Sequence, residues 1–189
     1  MSRLRILDET NPDTPLQTLT EHAAIARALG VVGVRFEQWA ANRPIKPGAS
    51  QEEVISAYHT DIDRLMATEG YQSVDVISLA PDHPDRAALR AKFLDEHRHS
   101  EDEVRFFVAG SGQFTLHIDD RVYDILCEQG DLIGVPAGTR HWFDMSESPY
   151  FVAIRLFINK DGWVAQPTGD AIAARFPRMA PRAQQTHPT

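Results

Sequence analysis

The spacing of apolar positions changes partway along this chain. In Thr18–Gly30, residues Ala23, Ala24, Ile25, Ala28 and Leu29 form one stripe, which predicts a helix stopped by Gly30. Ser50 and Glu53 stand at capping-box spacing. Val54, Tyr58, Ile62, Leu65 and Met66 continue from them as a second stripe, predicting a helix from Ser50 to about Glu69. Pro84–Phe93 reads as a third helix, with its proline tolerated in the first turn. Val31–Trp39 and Tyr71–Leu79 read as strands between these helices.

From Phe93 onward short β-prone runs follow one another: Val104–Ala109, Gln113–Ile118, Arg121–Cys127, Leu132–Val135 and Tyr150–Ile158. Turn signals separate them at Gly110-Ser111-Gly112, Asp119-Asp120, Gly130 and Pro136-Ala137-Gly138. Many short strands at this spacing predict a mainly β fold, an antiparallel barrel or sandwich, with the helices mostly in the N-terminal part. Ala171–Phe176 suggests a short helix. Residues 1–178 are expected to form a single domain, and 179–189 a mobile polar tail.

The length of 189 residues suits one core, and the net charge of −8 argues against nucleic acid, which needs a basic face. No apolar run approaches the roughly 18 residues that span a bilayer, and the N-terminus lacks a secretory signal. The expected compartment is therefore the cytoplasm, with no membrane partner. Cys127, the single cysteine, lies in a strand-like run and reads as a small buried hydrophobe.

The chemistry is concentrated in Glu96-His97-Arg98-His99-Ser100-Glu101-Asp102-Glu103. In a strand, residues two apart share a face, so His97 and His99 can point into one cavity. Two imidazoles with a carboxylate suit a divalent first-row transition metal, and Glu103 can complete the set across a turn. A fourth donor follows from Gly130-Asp131-Leu132-Ile133-Gly134-Val135-Pro136-Ala137-Gly138-Thr139-Arg140-His141, where a Pro–Gly turn can aim His141 back at the barrel mouth. Either block alone is weak. H-x-H-x3-E-x6-G followed by G-x5-P-x-G-x2-H is specific for a metal centre built from His97, His99, Glu103 and His141.

These two blocks resemble the two cupin motifs. The run from Phe93 to Gly112, together with Pro136–Met145 and Val152–Phe157, resembles the bacterial acireductone dioxygenases. Ala91 and Met145 depart from the general cupin pattern, at positions that are not ligands. The resemblance implies a single jelly-roll-like cupin barrel with one Fe2+ or Ni2+ per chain. It implies a methionine-salvage dioxygenase acting on an acireductone and O2, with products chosen by the metal. A monomer that binds neither nucleic acid nor membrane is expected. Other metal cupin dioxygenases or isomerases, and a non-enzymatic effector-binding cupin, share the ligand set.

Arg105, two residues after Glu103, would face the same cavity and could stabilise an enolate oxygen; it could equally be a structural partner of a barrel carboxylate. Phe143 shares the face of His141, and Phe93 and Trp163 join it by resemblance as walls around an apolar substrate tail, with core packing as the alternative for each. Glu96 could hydrogen-bond a ligand imidazole. His117 reads as either outer-layer or surface, and Glu101 and Asp102 as turn residues.

Overall fold

The computed structural model describes residues 1–159 and 164–181. All of its strand pairings are antiparallel. The strands are β1 (Arg3–Asp8), β2 (Gln17–Leu19), β3 (Arg35–Gln38), β4 (Ser73–Leu79), β5 (His97–Arg98), β6 (Glu103–Ile118), β7 (Arg121–Glu128), β8 (Asp131–Val135), β9 (Arg140–Asp144), β10 (Phe151–Phe157) and β11 (Gln166–Pro167). The helices are α1 (His22–Val31), α2 (Gln51–Ala57), α3 (His59–Glu69) and α4 (Arg86–Leu94), with a 3-10 turn at Ile172–Arg175. The mainly β, jelly-roll-like barrel with N-terminal helices is the architecture expected. Its hydrogen-bond ring does not close.

β6 organises the barrel. Its first half pairs with β10 and β8, and its second half with β7 and β9, so one strand serves both sheets. Sequence reading cut this strand in two at Gly110-Ser111-Gly112. The structure corrects that: the glycines lie inside a continuous strand. They are there for close approach. A Cβ on Gly112 would fall 2.4 Å from Phe143, and one on Gly110 would fall 1.8 Å from the carbonyl oxygen of Tyr150. Register slips between Val152 and Ala153, leaving Val108 as an extra residue. Such a bulge inverts the alternation of faces. Glu103, Arg105 and Phe107 therefore share the interior with Phe114 and Leu116 despite their different parity.

Three apolar layers result. Phe107, Phe114, Phe143 and Phe151 fill the interior. Val104, Phe106, Val152 and Ile154 face outward beneath Val54, Tyr58, Ile62 and Leu65 of the helices. Trp142, Leu7 and Val122 pack beneath Ile172 and Phe176 on the other outer face. Cys127 is fully buried in the interior core, as expected.

The helix expected over Ser50–Glu69 is two helices. Ser50 Oγ accepts from the Glu53 N–H at 3.2 Å and starts α2. The chain then leaves helical geometry at Tyr58 (φ −112°, ψ 17°), which lets the buried ring meet Phe106 edge-on at 5.7 Å. Gly70, left-handed at φ +76°, closes α3. Strands β1, β2 and β11 were not foreseen, whereas the strand spacing read at His97–His99 and at His141–Phe143 corresponds to β5 and β9. No helix among the described residues is long and apolar enough to cross a membrane.

Candidate metal centre

β5 and β9 bring the two motifs together. His97 and His141 are register partners, and His141 is also paired with Leu116 of β6. His97 and His99 are buried while Arg98 between them is exposed, as strand alternation requires. The turn Pro136-Ala137-Gly138 is tight, with Gly138 at φ +76° and the Thr139 N–H donating to Pro136 O at 3.2 Å. The ligating nitrogens of His97, His99 and His141 all lie within 4.8 Å of one another.

Hydrogen bonding fixes which nitrogens those are. His97 Nδ1 donates to Asp95 O at 2.8 Å, His141 Nδ1 to Thr139 O at 2.8 Å, and His99 Nδ1 to Val164 O at 3.2 Å. A carbonyl only accepts, so each Nδ1 carries the proton and each Nε2 presents a lone pair. Glu103 Oε2 lies 3.4 Å from His99 Nε2 and 4.0 Å from His141 Nε2. Glu103 Oε2 and His141 Nε2 are buried and find no hydrogen-bond partner among the described residues. Lone pairs turned toward one another in a dry interior repel, and a cation between them removes that cost. A divalent metal therefore fits this donor set.

Protonation states agree. Burial drives the His141 imidazole down to about 3, with His97 beside it acting in the same direction. Burial also lowers His97. For Glu103 burial acts upward, but Arg105, followed by His99, Arg155 and His141, holds the carboxyl down to about 2. Neutral imidazoles beside a carboxylate are the ligating forms.

Arg105 pairs with Glu103 Oε1, at 2.7 Å from Nη2 and 3.2 Å from Nε, which leaves Oε2 turned toward the histidines. The structural pairing considered for Arg105 is thus present. Its Nη1 is nevertheless buried and unpartnered among the described residues. The guanidinium carbon lies 4.8 Å from the Phe114 ring centre and 4.7 Å from that of Phe143. Phe143 is fully buried, and half-buried Phe93 meets it edge-on at 6.4 Å. Trp163 lies outside the described residues.

Glu96 does not reach a ligand imidazole, contrary to expectation: its carboxylate is bonded to His117 and Thr168. His117 is accordingly buried rather than on the surface. Asp102 accepts from the Ala137 N–H at 2.7 Å, and Glu101 from Asn159 at 3.0 Å, so both tie the loop between ligands to neighbouring segments.

Sequence reading missed three neighbours. Phe114 stacks on His141 at 5.2 Å and 20°. Phe157 meets His99 edge-on at 5.9 Å. Arg155, register partner of both Arg105 and Asp75, forms a two-point ion pair with Asp75. An arginine in the middle of an apolar strand was the available signal for the last.

Comparison with known proteins agrees with this picture. The model of the ARD/ARD' family matches residues 3–165. An acireductone dioxygenase of Pseudomonas savastanoi pv. phaseolicola is 65% identical over 179 residues, covering 95% of this chain and 99% of that protein. One from Stenotrophomonas maltophilia is 61% identical over 181 residues, covering 96% and 98%. The solved acireductone dioxygenase from Bacillus anthracis, with a cadmium ion in its active centre, superposes with a TM-score of 0.76 at 32% identity, covering 88% of this chain and 98% of that one. Motif, barrel and near end-to-end identity converge, and the chain belongs to the ARD/ARD' family.

Proposed function

We propose that the protein is a methionine-salvage acireductone dioxygenase in which His97, His99, Glu103 and His141 hold one Fe2+ or Ni2+. The observation that carries this reading is the set of three Nδ1-tethered imidazoles whose Nε2 atoms converge beside an orphaned carboxylate oxygen. A bound divalent ion supplies Lewis acidity and a template for a chelating enediolate and O2.

The chain's own residues do the rest. The carbonyls of Asp95, Thr139 and Val164 keep the ligand imidazoles in one tautomer and orientation. Arg105 keeps Glu103 ionised, and its free Nη1 can donate to an enolate oxygen in a setting where charge is poorly screened. Phe93 and Phe143 form the wall for the methylthio tail. Phe114 and Phe143 keep water from the guanidinium.

The substrate in this reading is 1,2-dihydroxy-5-(methylthio)pent-1-en-3-one. The Fe2+ form yields 4-methylthio-2-oxobutanoate and formate. The Ni2+ form yields 3-(methylthio)propanoate, formate and CO. A monomer working in the cytoplasm is part of the same proposal. The test is anaerobic reconstitution of metal-free protein with each ion, addition of the acireductone and O2, and isotope-traced product analysis. Turnover with Fe2+ or Ni2+ supports the reading. Absence of turnover with Fe2+, Ni2+ and Co2+ ends it.

A further inference from the structure

The outer face of the sheet that packs beneath Phe176 also carries a basic cavity. Its volume is about 390 Å³, and it lies between strands β1, β6 and β7 and the segment that follows Phe176. Arg3 and Arg5 of β1, Ser111 and Gln113 of β6, and Arg178 line it, and no acidic side chain does so among the described residues. Gln113 is on the opposite face of β6 from Phe114, which fills the barrel interior, so the cavity is outside the barrel that holds the metal ligands. Gln113 Nε2 donates to Pro177 O at 2.8 Å, and the Met179 N–H donates to Asp144 Oδ2 at 3.0 Å. These two bonds hold the covering segment over the strands.

The charges around this cavity do not balance. Asp124, Asp144 and Glu128 are the register partners of Arg5, Gln113 and Ser111. Each is already engaged. Asp124 accepts from Arg5 Nε at 2.7 Å, Asp144 accepts from Arg90 Nε at 2.7 Å, and Glu128 pairs with the ammonium of Met1. Arg178 Nη1 donates to a neutral acceptor, Leu94 O, at 3.3 Å. Arg3 is attracted by Asp124 without bonding to it, and its Nε is buried with no acceptor among the described residues. Three guanidinium groups thus face the cavity, and only that of Arg5 is neutralised by a bonded carboxylate. A desolvated N–H without an acceptor is costly, and an oxygen of a bound anion removes that cost. Guanidinium forks match the oxygens of carboxylate and phosphate. Two uncompensated positive charges favour a dianion, and a phosphate group carries about −1.5 to −2 near neutral pH.

We infer that this cavity is a binding site for a phosphate group, with Arg3 and Arg178 supplying its charge. At about 30 Å³ per water molecule, the cavity has room for a small organic group beside the phosphate. The ligand class is therefore inorganic phosphate or a small phosphomonoester. A bound phosphate ties the segment that carries Arg178 to β1.

The test is titration calorimetry of the full-length, Ni2+-loaded protein at constant ionic strength, with inorganic phosphate, glycerol 3-phosphate and acetate as probes. Saturable binding of inorganic phosphate is expected, with acetate roughly tenfold weaker or more. Arg3→Gln is expected to weaken phosphate binding roughly tenfold, the scale of one charge-assisted hydrogen bond. Arg178→Gln should weaken it several-fold, because that side chain is exposed and its charge is screened. Arg27→Gln, on the exposed side of α1, should leave it unchanged. If Arg3→Gln does not fold, Arg3→Lys, which keeps the charge and loses the fork, should show a smaller loss. Tighter binding of glycerol 3-phosphate than of phosphate assigns the rest of the cavity to an organic group, and equal or weaker binding assigns the site to free phosphate. A wild-type protein that binds no phosphate overturns the site. So does phosphate binding that the Arg3 and Arg178 variants leave unchanged, as an anion seated on the metal would show. Acetate bound as tightly as phosphate overturns the preference for a dianion.

Discussion

The backbone N–H of Gly138 donates to the carbonyl oxygen of His99 at 2.9 Å. One hydrogen bond thus ties the turn before His141 to the strand end that carries two other histidines. Gly138 is held at φ +76°, and a methyl group there meets nothing within 4 Å among the described residues. Gly138→Ala should therefore cost only backbone strain, about 1–2 kcal/mol. Thermal melting should show that loss, and Co2+ binding should weaken with it. An unchanged midpoint would show that the turn does not depend on the left-handed conformation.

Arg105→Ala should leave metal bound while lowering kcat/KM by about 10²–10³, the scale for removing a positioned oxyanion donor. Arg105→Lys should not restore it, because an ammonium cannot hold Glu103 through two nitrogens and still offer a third. Steady-state kinetics with metal stoichiometry measured on the same samples decides this. Full activity in Arg105→Ala would leave the arginine a purely structural partner of Glu103.

Acid should destabilise the metal-free protein. His141 is lowered from 6.5 to about 3 on folding, and His97 is lowered too. The unfolded chain then binds more protons than the folded one below pH 6.5, so stability rises with pH in that range. The contribution is complete above about 6.5 and is lost as pH falls toward 3. Glu103, lowered from 4.5 to about 2, adds a loss of the same sign that begins below 4.5. Urea midpoints of the metal-free protein should fall between pH 7 and pH 4. His141→Phe should flatten the upper part of that slope.

Gly112→Ala should destabilise by about 1–3 kcal/mol through overpacking, because the new carbon would collide with the Phe143 ring. Phe143→Leu in the same chain should recover part of the loss. Denaturant unfolding of the two single variants and the double variant gives the coupling. Strict additivity would mean that the strand shifts instead of the ring.

Period-two runs and H-x-H spacing exposed most of the barrel and the convergence of the histidines. Other features were hidden for physical reasons. β1 alternates only over Arg3-Leu4-Arg5-Ile6, because Leu7 is buried under the 3-10 turn on the face opposite Leu4 and ends the pattern after four residues. Glycine in a chain signals either a turn or crowding, and only the partner strand reveals that Phe143 crowds Gly112. The break at Tyr58 answers to Phe106, which is distant in sequence. The destination of the Glu96 carboxylate depended on His117 and Thr168, which no local pattern links to it.

Because β6 runs unbroken through both sheets, it behaves like the spine of a folding ruler. Losing Val108 would only erase the bulge, but gaining one residue between Arg105 and that bulge would swing the carboxylate and its arginine out of the barrel together. The same gain in the segment before Ser50 would lengthen a connection and leave the metal ligands where they are. Length changes in this chain are therefore far more tolerable ahead of the barrel than along its shared strand.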